Sequence, residues 1–362
     1  MKVEFGRRML EEIYAEPEAV RLTAKAGEKG LRKAVRALGG GRFQKVFLVG
    51  CGSSHYTGIA GKYAIEEFAK VPSSAVPALE FVHYASSIVD DECLVVCISQ
   101  SGETFETLKA LKKAKERGAR VLGFTNDGES TLAKEADLAI LTFAGEEKGP
   151  GTKTVVTQMM HVYNFALVMA GEAGLLAKEK VERAVSSLKA RAPKTLSRIL
   201  RSSDGRMRFL ASKYGGARDV YIVGSGPCFP CALQASNLIK EAAKIHAEAF
   251  SVEEFRHGPM EALDFRSVFV AVNPPGRGRT SLLKLAGRVK KTGARIISLA
   301  GEDDSDAEES SDDFVPMPKK LDEWQASFMY LPALQLLAYY LAAERKVDPD
   351  RFRNIMKTWT TE

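Results

Sequence analysis

Cysteine is scarce and unpatterned here. The five residues are an odd number, and their spacing matches no disulfide framework. That excludes a disulfide-stapled secreted scaffold and points to a reducing compartment. The opening stretch, MKVEFGRRMLEEIYAEPEAV, lacks the apolar core of a secretory signal. No apolar run approaches the length that spans a bilayer, so a cytoplasmic protein is expected. No two histidines stand at metal-ligand spacing and the cysteines add none, so neither a metal nor another cofactor is expected. A GxxxxGK[ST] phosphate loop is missing, which sets aside the common mode of nucleoside triphosphate binding. Blocks of one charge sign are missing too, and the net charge of +6 is spread along the chain. The short basic cluster from Lys109 to Arg120 has helical spacing and acidic neighbours, the pattern of a solvated face rather than a nucleic-acid surface. Neither nucleic acid nor membrane is an expected partner.

What remains is a chain of 362 residues, 45% hydrophobic and 27% charged, enough for one large or two medium domains. Its most informative stretch is LVVCISQSGET, residues 94–104. An apolar β-type run, Leu94 to Ile98, breaks into Ser99-Gln100-Ser101-Gly102-Glu103-Thr104, and a helical pattern follows from Phe105 to Arg117. Such a turn offers hydroxyls and unpaired backbone N–H groups at the positive end of a helix dipole, a cradle suited to a small monophosphate. The plainer reading of the same residues is a helix N-cap.

The chain also repeats itself. Val46-Phe-Leu-Val49 followed by Gly50-Cys51-Gly52-Ser53-Ser54 returns as Val220-Tyr-Ile-Val223 followed by Gly224-Ser225-Gly226, an offset of 174 residues from Gly50 to Gly224. Arg117-Gly-Ala-Arg-Val121 returns as Thr292-Gly-Ala-Arg-Ile296. Strands alternating with helices in both copies predict two parallel sheets, each covered on both faces. The copies differ at the hydroxyl-rich turn, where the second reads Asn273-Pro274-Pro275-Gly276-Arg277-Gly278, so one phosphate site per chain is expected. The expected layout is a helical arm over 1–41, a first α/β lobe over 42–195, a second over 205–346 and a tail over 347–362. A polar helical linker is expected near 180–215. The acidic run at 301–313 reads as a solvated loop, and Glu323 to Arg345 as one long closing helix.

Four other places carry candidate chemistry. Glu241 lies on the apolar helical stretch ALQASNLIKEAAKI, where partial burial would suit a proton-shuttling base; the alternative is a solvent-facing glutamate. His257 precedes Gly258-Pro259, a turn that would present its ring near neutral pH; the alternative is an ordinary surface histidine. His246 reads as structural. Cys228-Phe229-Pro230-Cys231 has redox spacing, against which Pro230 is simply a first-turn helix proline. Lys357, near the end of the chain, either has no role or, desolvated over a phosphate site, forms an imine with a sugar carbonyl.

Together these stretches resemble the double-SIS (sugar isomerase) family. MLEEIYAEPEAVR resembles its lead-in helix, GCGSSHYTG its first sugar-phosphate turn and SQSGET its phosphate box. KEAAKIHAEAF and EFRHGPMEALD resemble its catalytic stretch, and the tail resembles its lysine-bearing terminus. The resemblance implies an α/β fold of two tandem flavodoxin-like lobes with a helical arm and an active-site tail. It implies that Ser54, Ser99, Gln100, Ser101 and Thr104 hold a phosphate, with Gly52 and Ser53 near the sugar. It further implies that Glu241 moves a proton between C1 and C2 and that Lys357 attacks the open-chain carbonyl. His257 would assist ring opening across a homodimer interface. The family's lysine three residues before the glutamate is Leu238 here, and its serine before Thr152-Lys153 is Gly151.

No glutaminase-type segment accompanies these stretches. The expectation is therefore release of ammonia: deaminating isomerisation of glucosamine 6-phosphate to fructose 6-phosphate. The alternatives are ammonia-dependent synthesis in reverse, a plain aldose–ketose isomerase or deglycase, and a non-enzymatic sugar-phosphate sensor. Residues 1–40 lack the helix-turn-helix pattern expected of a sensor that regulates transcription.

Overall fold

The apolar runs become strands, and the computed structural model, which describes residues 6–361, arranges them in two sheets. The first five residues of the expected arm and the last of the tail lie outside that range. The first sheet comprises β1 (Lys45–Gly50), β2 (Ser73–Pro77), β3 (Cys93–Ile98), β4 (Arg120–Thr125) and β5 (Leu138–Leu141), in the order β2-β1-β3-β4-β5. Every pairing in it is parallel. All six residues of β3 are buried, as they must be when helices cover both faces.

The second sheet comprises β6 (Asp219–Gly224), β7 (His246–Ser251), β8 (Ser267–Val272), β9 (Arg295–Gly301) and β10 (Asp313–Met317). Its order, β10-β9-β8-β6-β7, is the same 2-1-3-4-5 topology read from the other edge. The repeat extends to backbone detail. Gly52 and Gly226 both have φ of 51°, and Lys70 and Lys244 close their helices in the left-handed region at 57° and 56°. The double-wound expectation therefore holds in both copies.

The chain falls into two compact units: Glu16–Glu147 with Lys153–Pro193 and Met356–Glu362, and Met1–Ala15 with Lys148–Thr152 and Lys194–Ile355. In the first, the Lys153–Glu172 helix packs against the Glu16–Ala37 and Ser53–Ala64 helices and is buried along almost all its length. In the second, the Leu331–Glu344 helix packs on Phe229–Ala243. The Arg7–Tyr14 helix begins at Gly6, which has no side chain to cap it. The Asp350 carboxylate accepts instead from the N–H groups of Arg8 and Met9, at 3.0 and 2.8 Å.

Three expectations need correction. The stretch near 180–215 is helical, as expected, but it is more than a polar linker: it belongs to the longer helix Lys178–Tyr214, which runs through Pro193 and buries Val181, Val185, Leu188, Ala192, Leu196 and Ile199 at helical spacing. The acidic run is largely exposed, as expected, but it is not a loop throughout. Asp304 caps the Ser305–Glu309 helix and pairs with Arg279, while Asp313 opens β10 buried between Lys213 and Arg206 at 2.7 and 3.1 Å. The closing helix is two, Glu323–Met329 and Leu331–Glu344, with Tyr330 between them and Pro332 opening the second. By length and composition Glu323–Glu344 would cross a membrane, contrary to the reading that no run approaches that length. Of its most apolar 18-residue window, however, 89% is buried, so that apolar surface is spent on the core.

Candidate functional site

In a 2-1-3-4-5 sheet the strand order reverses between β1 and β3, and ligands bind beyond the carboxyl ends of strands at that point. Both sequence-predicted turns lie there. β1 pairs with β3, and a Cβ on Gly50 would meet the Ile98 carbonyl at 2.9 Å, so the two turns lie side by side. Gly52, with positive φ, starts the Ser53–Ala64 helix without a side-chain cap, and the half-buried Ser53 and Ser54 form its first turn. His55 follows them, and burial lowers its pKa below the usual range.

The SQSGET turn is held by its own hydroxyls. Ser99 Oγ lies 2.9 Å from Thr104 Oγ1 and accepts from the Gly102 N–H at 3.1 Å. Gly102 has φ of 68°, and an added Cβ would come within 2.1 Å of Ser130 Oγ. Only glycine fits that position. Glu103 is turned away from the cradle, its carboxylate accepting from Thr131 N and Thr131 Oγ1 at 2.6 and 2.9 Å. Thr104 makes no capping bond to the Phe105–Glu116 helix, so the plainer N-cap reading does not describe the turn. Gln100 and Ser101 are half-buried beside it. The cradle thus keeps a helix N-terminus that no side chain occupies, flanked by hydroxyls.

One group does reach that N-terminus. The Phe105 N–H donates to the Trp359 carbonyl at 3.0 Å, which docks the tail against the turn. Two residues earlier, Lys357 Nζ lies 3.1 Å from Glu147 Oε2. Glu147 also accepts from Thr154 N and Thr154 Oγ1, at 3.1 and 2.5 Å. Sequence reasoning missed both Glu147 and the Trp359 carbonyl. A carboxylate shortly before a Gly-Pro-Gly turn and a long helix was a legible N-terminal signal. A backbone acceptor from a tail without regular structure carried no signal.

Glu241 and His257 belong to the other unit. Glu241 is half-buried on the Phe229–Ala243 helix, where Asn237 Nδ2 donates to its Oε1 at 2.9 Å. Lys244, in the left-handed cap that ends this helix, donates to the Glu241 and Arg351 carbonyls. Burial pushes the Lys244 amine below its usual pKa. Two turns before Glu241, Gln234 donates to the Gly151 carbonyl at 2.9 Å, holding the stretch whose serine the family pattern would supply. Glu12 accepts from the N–H groups of Lys148 and Gly149 in the same stretch. Leu238 is fully buried. His257 is exposed at the end of the Val252–Arg256 helix, which Gly258 terminates with φ of 139°. His246 is exposed, and its Nδ1 lies 2.9 Å from Asp219 Oδ1.

The second copy of the phosphate turn is filled by the protein itself. Glu323 Oε2 accepts from the Arg277 N–H at 3.0 Å, and a Cβ on Gly276 would strike that carboxylate. An internal carboxylate thus sits where the first copy keeps hydroxyls. Cys228 and Cys231 are fully buried, and burial pushes both thiols far above their usual pKa, so neither is a thiolate at neutral pH. The redox reading of that pair falls. Among the described residues no group of histidine, cysteine and carboxylate side chains could hold a metal ion.

Comparison with known proteins agrees with the fold. The chain is 34% identical over its whole length to the glutamine–fructose-6-phosphate aminotransferase (isomerizing) of Thermococcus kodakarensis, covering 59% of that protein. It is 33% identical over 98% of its length to the enzyme of the same name from Methanothermobacter thermautotrophicus, covering 57% of it. The chain therefore spans less than two thirds of these relatives. Among solved structures, the C-terminal domain of glucosamine-fructose-6-phosphate aminotransferase from Francisella tularensis superposes with a TM-score of 0.84 at 28% identity, covering 96% of this chain and 99% of that one. A glucosamine-6-phosphate deaminase from Thermotoga maritima superposes at 0.76 with 22% identity, covering 97% and 99%, a likeness of fold. Residues 43–169 and 214–345 both match the SIS domain, and the chain belongs to the SIS-domain family, carrying that domain twice.

Proposed function

We propose that the protein converts glucosamine 6-phosphate to fructose 6-phosphate and ammonia. The observation that carries this reading is the SQSGET turn, a hydroxyl-lined helix N-terminus with the lysine-bearing tail docked on it. Ser99, Gln100, Ser101, Thr104 and Ser54 hold the phosphate, and Gly52 and Ser53 border the sugar. His257, supplied by a second copy in a homodimer, assists ring opening. Glu241 takes the proton from C2 and returns it to C1, turning the amino aldehyde into a 2-imine. Hydrolysis, directly or after exchange onto Lys357, releases ammonia and the ketose. These groups move protons and hold a phosphate, while the nitrogen enters and leaves with the substrate.

A second reading runs the same chemistry toward synthesis from ammonia. The relatives that share a third of the sequence are named glutamine–fructose-6-phosphate aminotransferase (isomerizing), which favours it. A sensor without turnover is the remaining alternative. The substitution Glu241→Gln separates it from both. An enzyme loses turnover by about a hundredfold or more while fructose 6-phosphate still raises its melting temperature. Unchanged turnover in Glu241→Gln would remove Glu241 from the reading, and ligand response without turnover in the unmodified protein would make it a sensor.

A further inference from the structure

Lys357 lies on a stretch without helix or strand, yet its amine is not left to solvent. Its side chain is 27% exposed, whereas that of Glu147 is fully buried. A buried carboxylate is costly unless its oxygens are satisfied. Here Oε1 accepts from Thr154 N, in the first turn of the Lys153–Glu172 helix, and Oε2 accepts from Thr154 Oγ1 and Lys357 Nζ. The helix N-terminus fixes the direction of the carboxylate. The Trp359 carbonyl on Phe105 N–H pins the main chain two residues beyond the lysine. Side chain and backbone are thus tethered at separate points, the backbone at the phosphate turn and the amine at Glu147.

We propose that Glu147 is the positioning residue and proton acceptor for Lys357. The inference rests on the imine chemistry proposed above. An ammonium ion cannot attack a carbonyl, and the Glu147 oxygen 3.1 Å away stands ready to take the proton. Nζ passes one proton to Oε2 and adds to C2 of fructose 6-phosphate, forming the N–C bond as the carbonyl π pair moves to oxygen. That oxygen collects one proton from the adduct nitrogen and one from Glu147, and leaves as water. The nitrogen lone pair closes the C=N bond, giving a protonated imine and restoring the Glu147 carboxylate. In the deaminating direction the same imine is reached by displacement of ammonia and hydrolysed in reverse.

Borohydride trapping tests this. The unmodified protein is incubated with fructose 6-phosphate and borohydride, and the adduct is measured by intact mass and mapped to Lys357. Glu147→Gln should trap about a hundredfold more slowly, with turnover falling in kcat rather than KM, while fructose 6-phosphate still raises its melting temperature. Glu147→Asp keeps the acid and its charge at the helix terminus. It should recover part of the trapping rate, and it serves if the glutamine variant does not fold. Trapping at the unmodified rate in both variants would overturn the proposal. Turnover without any trapped adduct in the unmodified protein would also overturn it while leaving the isomerase reading intact. Absence of both turnover and ligand stabilisation would remove that reading, and this inference with it.

Discussion

The backbone N–H of Phe105 donates to the carbonyl of Trp359 at 3.0 Å, and this one bond joins the phosphate turn to the tail that carries Lys357. The acceptor is a main-chain oxygen, so the side chain of residue 359 matters little to it. The tail contributes no regular element and little to the core, and Trp359 and Met356 remain exposed. A chain stopped after Ile355 should therefore keep its melting temperature within a few degrees. It should still bind fructose 6-phosphate, because the Ser99–Thr104 and Ser99–Gly102 bonds do not involve the tail. Turnover through the Lys357 imine should be lost, leaving only direct hydrolysis. Calorimetry with fructose 6-phosphate and an ammonia assay on the shortened chain check both halves of this expectation.

The phosphate turn should be intolerant of a single methyl group. Gly102→Ala places a Cβ 2.1 Å from Ser130 Oγ and 2.9 Å from Thr125 Oγ1, in a backbone region that alanine rarely adopts. Strain of this kind costs about 1–3 kcal/mol. The turn relieves it by moving, which separates the Gly102 N–H from Ser99 Oγ. Affinity for fructose 6-phosphate should fall by about five- to 150-fold, as each 1.4 kcal/mol corresponds to a factor of ten. The same change at Gly287, where nothing crowds an added Cβ, should leave affinity as it was. Thermal denaturation and isothermal titration of the two variants make the comparison.

Acid should destabilise the first unit through His161. The ring is buried on the Lys153–Glu172 helix, and burial lowers its pKa from 6.5 to about 4. Its Nε2 lies 3.2 Å from the Leu141 carbonyl, and Nδ1 is buried without a partner. Because the unfolded state takes up this proton first, stability is complete above about pH 6.5 and falls as the pH drops toward 4. The loss over that window is on the order of 1–3 kcal/mol. His161→Gln keeps a donor for Leu141 and removes the titration, so its stability should change less over the same range. Urea unfolding of both proteins at pH 7.5 and pH 5 measures the difference.

Much of the fold was legible because the chain states it twice. The 174-residue offset read from Gly50 and Gly224 reappears in the matching φ angles of Gly52 and Gly226 and of Lys70 and Lys244. Two copies of one strand–helix order could only form two sheets of one topology. Composition misled where a polar segment turned out to have a buried face. The Lys178–Tyr214 helix looked merely polar and Asp313 looked solvated because their apolar or cationic partners lie far away in sequence. The same distance hid Glu147, which meets Lys357 across 210 residues. Ser99, Thr104 and Gly102 were readable as a turn because their bonds to one another are local. What the turn receives from Trp359 was not readable, since a carbonyl acceptor has no residue signature.

The proposed function stands or falls on one assay: ammonia and fructose 6-phosphate measured together after glucosamine 6-phosphate is added to the purified protein, with fructose 6-phosphate and ammonia supplied in a parallel vessel. Equimolar release of ammonia and fructose 6-phosphate is the expected outcome. No release in either direction, with fructose 6-phosphate still raising the melting temperature, would mean that the turn binds its phosphate without performing this chemistry.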